Sequence, residues 1–475
     1  MLPRDDAQRL VDRYFDFAMP TYRFLHRPTV QKWFNEFYDT LGVMRDAHNA
    51  PAKVALLFMV FSLARVYMPD NDRPGPSDLR KIPELKRLAP GIIWPPSISS
   101  LKKRAPCPEI SGGMDQIEIE CRRRTFWSLG RPRSFHDEDI NTELPACVED
   151  QDITASHIES HTAMSGPSTM LAPLAHMKLA RIIGKILRNL YSIQPVSESH
   201  RAAAVKTISK DLTEWRAELA WFLDAHLFST SLLIPIFQRQ RNVLNLTYWQ
   251  AIILTHRPFV LRNFGRLSQQ DQTNFAYKTP QIEESVKQCL YAAMKTVEIM
   301  DDISQNRQLL RALWITSYFA FNATVMLYIY VIQKRAFPPE VYSSYLSAAT
   351  RCQSHLSGIA EKGSLSERYC LVLEELRDEA TRQTSNLTSF ANRSEEIYNQ
   401  SQDHHALYSG GVTTAHRLRP PNNSTDTTEG TVIDLFNTIP GFSLDDCADW
   451  GQFTTMVSSG LGNIDFSVNE DLFSQ

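Results

Sequence analysis

The sequence predicts an all-α protein in which a large multi-helical domain is followed by a disordered linker and a C-terminal tail. Apolar side chains recur three and four residues apart in most segments, as at Leu212, Trp215, Leu219 and Phe222. No segment alternates apolar and polar residues in the manner of a half-buried strand. Beyond residue 401 the composition turns to Gly, Pro, Asn, Ser and Thr, which is typical of a flexible linker.

Length, composition and charge indicate which broad class of protein this chain belongs to. The chain has 475 residues, of which 43% are apolar and 22% charged, so it is long enough for several domains and ordinary for a globular protein. Its net charge of −3 provides no overall attraction to nucleic acid or to an anionic membrane. The seven cysteines are scattered without a C-x-x-C pair, which disfavours a zinc or redox site. Scattered thiols without an apolar N-terminal signal indicate an intracellular protein.

The first predicted helices are joined by a turn at the motif HRPT. Leu10, Tyr14 and Phe17 form one helical stripe, which Pro20 ends. The proline of HRPT closes the loop, and Thr29 is expected to cap the next helix. That second helix is expected to bury its large apolar side chains, which are Trp33, Phe34, Phe37, Tyr38 and Leu41.

The middle of the chain contains one irregular stretch between helical regions. Residues 52–67 are apolar nearly all round and predict a core helix. Eight prolines between residues 74 and 108 exclude any helix longer than about two turns there. Helical periodicity returns at Met114, and a later long helix is expected to end at Pro258. Further helices are predicted at about 281–304, 308–333, 339–358 and 365–398.

These patterns divide the chain into five parts. Two helical parts, residues 1–79 and 114–400, flank the proline-rich irregular segment 80–113. A flexible linker at 401–430 and an acidic-aromatic tail at 431–475 follow them. Leu313 to Ile332 has the length of a membrane span, but Thr316, Ser317, Asn322 and Thr324 interrupt it. A buried central helix of a large all-α domain is therefore favoured over a span.

The tail combines acids with large apolar side chains. Residues 431–475 contain seven carboxylates and neither lysine nor arginine. Such alternation is the composition of a transactivation segment, in which acids keep aromatic side chains solvated and available to a partner groove. An ordinary disordered tail has similar composition, so both interpretations stay open. The candidate contact residues are Phe436, Phe442, Trp450, Phe453, Phe466 and Phe473.

Several motifs in a fixed order identify a family resemblance. YFDFAMPTYRFLHRPTV is followed by AKVALLFMVFSLARVYM and then by CRRRTFWSL and GRPRSFHDEDINTELP. Together with HMKLARIIGKILRNLY and LTHRPFVL, this order resembles the fungal-specific transcription factor domain, over about residues 5–400. That domain is the middle homology region of fungal binuclear zinc-cluster regulators. The resemblance implies an all-α regulatory domain in a nuclear protein whose DNA contact comes from an N-terminal cluster of six cysteines holding two zinc ions.

The chain departs from that family at its zinc cluster. None of its cysteines matches the cluster pattern, so the zinc ligands and DNA-reading residues of the family transfer to no position here. No cofactor is therefore expected in this chain, and DNA contact is expected only indirectly or through a missing N-terminal segment. Either the chain is a truncated or mis-spliced product, or it acts without its own DNA reader. The proline-rich segment and the short connection from Trp127 to Gly130 also depart from the family.

The acidic loop GRPRSFHDEDINTELP raises a choice between a chemical site and a structural element. Its carboxylates and His136 are the groups of a cation or acid-base site. Consecutive carboxylates point in different directions, and no second His or Cys lies at ligand spacing. The family resemblance implies a structural loop at a helix end, with Arg122, Arg123 and Arg124 among the candidate partners of its acids. The residues assigned to this loop are Arg131, Pro132, Asp137, Glu138, Asp139 and Ile140.

Other polar patterns carry weaker hypotheses. SHIESH places His157, Glu159 and His161 at alternate positions, where a chance pattern is favoured over a metal patch. A basic stripe on the predicted helix 168–191 fits a solvated face better than a phosphate-binding one. CRRR and SLKKRAP resemble nuclear-import patches. No motif of a hydrolase, metalloprotease or nucleotide-binding enzyme is present, and a non-enzymatic protein is expected.

The family resemblance, together with the composition of the tail, therefore implies a nuclear fungal regulator of transcription by RNA polymerase II, represented here by its regulatory and activation portion. The expected partner is the transcription machinery or a coactivator, bound through the acidic tail, and no membrane is expected. Pairing with a second copy or a related regulator stays open. The alternative is a partner that binds no DNA itself and modulates a full-length regulator.

Overall fold

The computed structural model describes the helical body of the chain in segments. The described residues are 2–46, 48–68, 114–129, 142–159, 167–192, 197–224, 234–264, 280–306 and 314–384. Within them the regular elements are helices, and the extended structure is limited to one isolated bridge between Ile153 and Ile158. The all-α prediction is confirmed. The chain divides into two compact units, Met1–Ala251 and Ile252–Gln475.

The helices are numbered here in chain order. The first unit begins with α1 (Arg4–Arg13), α2 (Arg27–Asp39), α3 (Ala50–Val66) and α4 (Gln116–Leu129). It continues with α5 (Leu171–Leu190) and α6 (Glu198–Leu223), and α7 (Pro235–Phe264) runs from the first unit into the second. The second unit also contains α8 (Pro280–Gln305), α9 (Trp314–Gln333), α10 (Ser343–Ser357) and α11 at 365–384.

An aromatic core joins the first three helices. α1 continues through one π-helical turn at Tyr14–Ala18, which keeps the predicted stripe of Leu10, Tyr14 and Phe17 buried. The rings of Phe34 and Phe61 meet edge to face at 6.3 Å between centroids, a favourable aromatic geometry. The apolar faces of α1, α2 and α3 thus close on one another, as their periodicity predicts.

Two local predictions for α2 are wrong. Thr29 does not cap the helix, because α2 already begins at Arg27 with His26 at the cap position and no side-chain cap hydrogen bond. Leu41 is not buried but 84% exposed. The helix ends at Asp39, and the chain then turns through the left-handed region at Leu41 (φ 52°) and Gly42 (φ 90°). This turn directs the Leu41 side chain away from the core.

α5 and α6 pack together through the predicted stripe of α6, and all four of its residues are buried. The Trp215 indole donates a hydrogen bond to the Ala175 carbonyl at 2.9 Å and stacks on the Tyr248 ring at 5.7 Å. The next residue, Arg216, donates to Asn245 Oδ1 at 2.9 Å and to Asp224 Oδ1 at 2.6 Å. These polar contacts connect the end of α6 to α7.

α7 does not end at Pro258 as predicted but continues to Phe264. The proline removes one backbone donor from the helix. Beyond it, the side chains of Val260 and Leu261 are buried, and Gln333 Nε2 donates to the Val260 carbonyl at 2.8 Å. The burial of Val260 and Leu261 after Pro258 therefore outweighs the tendency of a proline to end a helix.

The second unit is built around α9. This helix is long and apolar enough to cross a membrane, yet 83% of its apolar window, Ile315–Gln333, is buried inside the protein. α8, α9 and α10 pack pairwise against one another, and Phe321 stacks on Tyr369 of α11 at 4.4 Å between centroids. The Tyr328 hydroxyl donates to Gln353 Oε1 at 2.6 Å. This burial agrees with the core-helix interpretation of the segment.

Replacing Leu57 by alanine is expected to destabilise the first unit by roughly 3 kcal/mol, because this side chain is 1% exposed in the aromatic core. Chemical denaturation followed by circular dichroism measures the change in free energy of unfolding. Leu41→Ala is the matched control and is expected to change it by less than about 0.5 kcal/mol. Equal losses in the two variants would contradict the core boundary described above.

Candidate functional site

The site residues assigned from the sequence lie outside the part of the chain that the structure describes. They are the loop residues Arg131, Pro132, Asp137, Glu138, Asp139 and Ile140 and the tail residues Phe436, Phe442, Trp450, Phe453, Phe466 and Phe473. Their roles stay predictions. The start and the end of the acidic loop are still described in part, since α4 leads into it and residues 142–152 comprise its last residues and the chain that follows.

A fully buried arginine organises these flanking segments. The side chain of Arg124, on α4, is 0% exposed. Its Nε donates to Glu120 Oε1 at 3.1 Å, one helical turn earlier, and its Nη1 donates to Asp150 Oδ1 at 2.5 Å. Glu120 Oε1 also accepts from the backbone N–H of Ala146 at 3.0 Å. One guanidinium thereby connects α4 to the chain that returns from the loop.

Arg124, Glu120 and Asp150 form a buried polar centre, which Asp150 connects to the start of α2. Its Oδ2 accepts from the backbone N–H of Arg27 at 2.9 Å. That N–H belongs to the first residue of α2 and has no partner within its own helix. A carboxylate at this position also meets the positive end of the helix dipole. Asp150 therefore caps α2 from 123 residues away in the chain.

His26 holds the same junction through its ring. His26 Nε2 lies 2.6 Å from the Asp150 carbonyl oxygen, and Nδ1 lies 2.8 Å from Thr29 Oγ1. Because a carbonyl oxygen only accepts, Nε2 carries the proton, and Nδ1 accepts from the threonine hydroxyl. His26 thereby satisfies the backbone carbonyl of Asp150 at the start of α2.

Charge balance keeps the centre ionised although it is buried. Burial alone would raise the pKa of Asp150, but the charge and hydrogen bond of Arg124, the Arg27 N–H and the charge of Arg23 hold it below its usual value. Burial would lower the pKa of Arg124, and Asp150 and Glu120 raise it above its usual value. Both partners are therefore charged at neutral pH.

A second set of contacts closes the base of the acidic loop. Arg123 Nη2 donates to Glu143 Oε2 at 2.7 Å, and Trp127 Nε1 donates to the Glu143 carbonyl at 2.8 Å. The expected pairing of this arginine run with the loop acids is confirmed for Arg123 and Glu143. Arg122 instead pairs with Glu118 on the same helix at 2.5 Å. The acids Asp137 to Asp139 lie outside the described residues, so their partners stay predictions.

The arrangement around Arg124 is suited to positioning chain segments rather than to catalysis. Glu120 and Asp150 are the counter-ions of Arg124, and the second carboxylate oxygen of Asp150 accepts from the first N–H of α2. Within CRRR the side chain of Arg124 is buried and that of Arg122 is 40% exposed, and the import-patch interpretation stays a prediction. SLKKRAP lies outside the described residues.

The two weaker polar patterns are partly described. His157 Nε2 lies 3.3 Å from Glu159 Oε1, with both side chains more than half exposed, and His161 lies outside the described residues. Where the structure describes the chain, no three His, Cys, Asp or Glu side chains are grouped as metal ligands are. In the basic stripe of α5, Lys178 pairs with Glu218 at 3.4 Å and Lys185 with Asp211 at 2.8 Å. These pairs to α6 favour the solvated-face interpretation.

Glu120 and Asp150 were not identified from the sequence as members of the buried polar centre. Glu120 and Arg124 are four residues apart in EIECRRR, a spacing at which opposite charges meet on one helix, so this signal was available. Asp150 carries no comparable signal, because it lies 26 residues beyond Arg124. A carboxylate in the segment EDQD looks like any other exposed acid until the fold buries it.

The sequence of this region is similar to that of a known family. The profile of the family described as "Fungal specific transcription factor domain" matches residues 106–217. The match includes Glu120, Arg124 and Asp150 but ends before α7 and excludes α2. The carboxylate and guanidinium groups of the centre thus lie within the matched region, and the helix end that they cap lies outside it.

Similar proteins are fungal and are named as regulators. The chain is 22% identical over 312 residues to the transcriptional activator protein acu-15 of Neurospora crassa, covering 55% of this chain and 32% of that protein. It is 22% identical over 232 residues to Activator of stress genes 1 of Saccharomyces cerevisiae, covering 46% of this chain and 23% of that protein. A putative transcriptional regulatory protein of Saccharomyces cerevisiae is 20% identical over 458 residues, covering 81% of this chain and 59% of that protein.

The extent of these similarities is limited in two ways. The aligned part spans less than a third of the length of the first two relatives. No solved structure matches the chain. The activity and partners of the relatives as whole proteins are therefore not carried over by these similarities alone.

Replacing Asp150 by asparagine is expected to destabilise the first unit by about 3–5 kcal/mol, because it leaves a buried guanidinium without one of its counter-ions. The loss also depends on pH. The pKa of Asp150 is lowered on folding, so its contribution is fully present above the unfolded pKa of about 3.9 and is lost as pH falls through the folded value. Denaturation of the wild type and the variant from pH 7 to pH 3 measures the difference, which is expected to shrink in acid.

Glu118→Gln is the matched control on the same helix. It removes the Glu118 pair with Arg122, whose side chains are 49% and 40% exposed, and is expected to cost less than about 1 kcal/mol. An Asp150→Asn variant as stable as this control would contradict the assignment of Asp150 as a buried counter-ion and helix cap.

Proposed function

We propose that this chain, which contains a Fungal specific transcription factor domain at residues 106–217, functions as a fungal regulator of transcription by RNA polymerase II. The observation that carries the proposal is the position of this match. It covers α4, Asp150, α5 and α6 as far as residue 217, which include the buried polar centre and a neighbouring core of the first unit. The relatives named above as activators and regulators support the same class of function.

In the proposed mechanism the helical domain has the regulatory role, and the C-terminal tail recruits a coactivator of transcription. The body would hold the acidic loop in place through the Arg123–Glu143 and Trp127–Glu143 contacts at its base. The tail, residues 431–475, would bind a coactivator groove through Phe436, Trp450 and Phe473 while its carboxylates steer the encounter. The regulator acts in the nucleus, without a catalytic reaction of its own. DNA contact is assigned to a partner or to a further segment of the protein.

The tail proposal predicts transferable activation. Residues Thr431–Gln475 fused to an unrelated DNA-binding domain are expected to activate a reporter gene. Replacing Phe436, Trp450 and Phe473 by alanine is expected to reduce the reporter signal at least about tenfold, because apolar anchors contribute most of such binding. The matched control replaces Asn437, Thr454 and Ser467 by alanine and is expected to leave the signal near that of the intact tail. An inactive intact fusion, expressed at normal levels, would reject activation by the tail.

The proposed location is tested separately from the tail. The full chain carrying a fluorescent protein is expected to concentrate in the nucleus of a fungal cell, and deleting residues 431–475 is expected to leave that localisation unchanged. Quantitative imaging of the nuclear to cytoplasmic ratio provides the measurement. Exclusion of the full chain from the nucleus under all growth conditions tested would contradict a role in transcription.

A further inference from the structure

A buried cation without a described counter-ion lies in the first unit. Arg239, near the start of α7, is 5% exposed, and its Cζ lies 5.3 Å from the centroid of the Phe17 ring. Its Nε has no hydrogen-bond partner in the described part of the chain. The contact with an aromatic face is favourable for a guanidinium, but it satisfies none of its N–H donors.

A second guanidinium lies against the same ring. The Cζ of Arg13 is 3.6 Å from the Phe17 centroid, and its Nε and Nη2 donate to the Tyr67 carbonyl at 2.9 and 2.6 Å. The rings of Phe17 and Tyr67 are themselves 6.4 Å apart. Arg13, Phe17, Tyr67 and Arg239 therefore form one cluster with two cations.

Arg239 differs from Arg124 in having no carboxylate partner among the described residues. Arg124 is buried to a similar degree but is paired with two carboxylates. Burial lowers the pKa of Arg239 to about 10, an effect that Tyr67 opposes and the charge of Arg13 reinforces. No carboxylate among the described residues acts on it. A desolvated cation beside a second cation favours a bound anion.

We propose that Arg239, with Arg13 and Tyr67 beside it, forms a binding site for a small carboxylate or phosphate anion. The planar fork of a guanidinium matches both anions through paired N–H donors. The anion has two potential sources. It is a free solute, or it is a carboxylate of this chain, since Asp70 and Asp72 follow Tyr67 closely in the sequence. We assign it to a free solute, and a variant without the carboxylates of Asp70 and Asp72 tests the chain's own acids.

The test uses the full chain and inorganic phosphate as the probe. Calorimetric titration at constant ionic strength, with chloride as the balancing anion, is expected to show one saturable site. Arg239→Gln is expected to weaken phosphate binding at least about tenfold, because it removes the buried charge. Arg239→Lys keeps the charge but loses the fork and is expected to give an intermediate affinity. The matched control Arg188→Gln, on the exposed face of α5, is expected to bind phosphate as the wild type does.

Two outcomes would overturn the proposal. They are no saturable phosphate binding by the wild type, and equal binding by the wild type and Arg239→Gln. In the first case, binding by the Asp70→Asn/Asp72→Asn double variant would assign the anion to the chain itself. Circular dichroism checks the fold of each variant, and Arg239→Lys decides the question if Arg239→Gln does not fold.

Discussion

The ion pair between Arg124 and Asp150 is the contact on which the first unit's polar structure depends. A guanidinium with no exposed surface is tolerated only when carboxylates compensate its lost hydration, and Glu120 and Asp150 do so. Because Asp150 also accepts from the first N–H of α2, the same pair determines how that helix begins. Segments near residues 26, 124 and 150 are thereby fixed to one another by charge.

This arrangement gives the acidic loop a defined base. The chain leaves α4 at residue 129 and is held again at Glu143 by Arg123 and Trp127, before Asp150 completes the connection. Ion pairs at the exposed end contribute little stability on their own, whereas the buried pair is strongly coupled to folding. The described end of the loop is thus attached to a buried charged centre that lies within the region matching the family profile.

The second unit has a different physical basis. Its central helix α9 is largely apolar, and Thr324 and Tyr328 within it have hydrogen-bond partners, whereas the buried Asn322 amide has none among the described residues. The Thr324 hydroxyl donates to the Ala320 carbonyl at 2.8 Å in the same helix, and Tyr328 donates to Gln353 of α10. A hydroxyl that bonds to its own helix requires no partner elsewhere. This explains how one sequence has the composition of a membrane span and the burial of a core helix.

The sequence by itself determined the helices and their apolar faces, because three-to-four-residue periodicity is a local property of the chain. The stripes at Leu10 and Trp215 were predictable for this reason, as was the Glu120–Arg124 pair within one helix. Leu41 and Pro258 were not, since burial and turn geometry around them overrode local preference. The cap on α2 comes from Asp150, 123 residues beyond Arg27, and such a long-range pairing exists only once tertiary packing removes water from both partners.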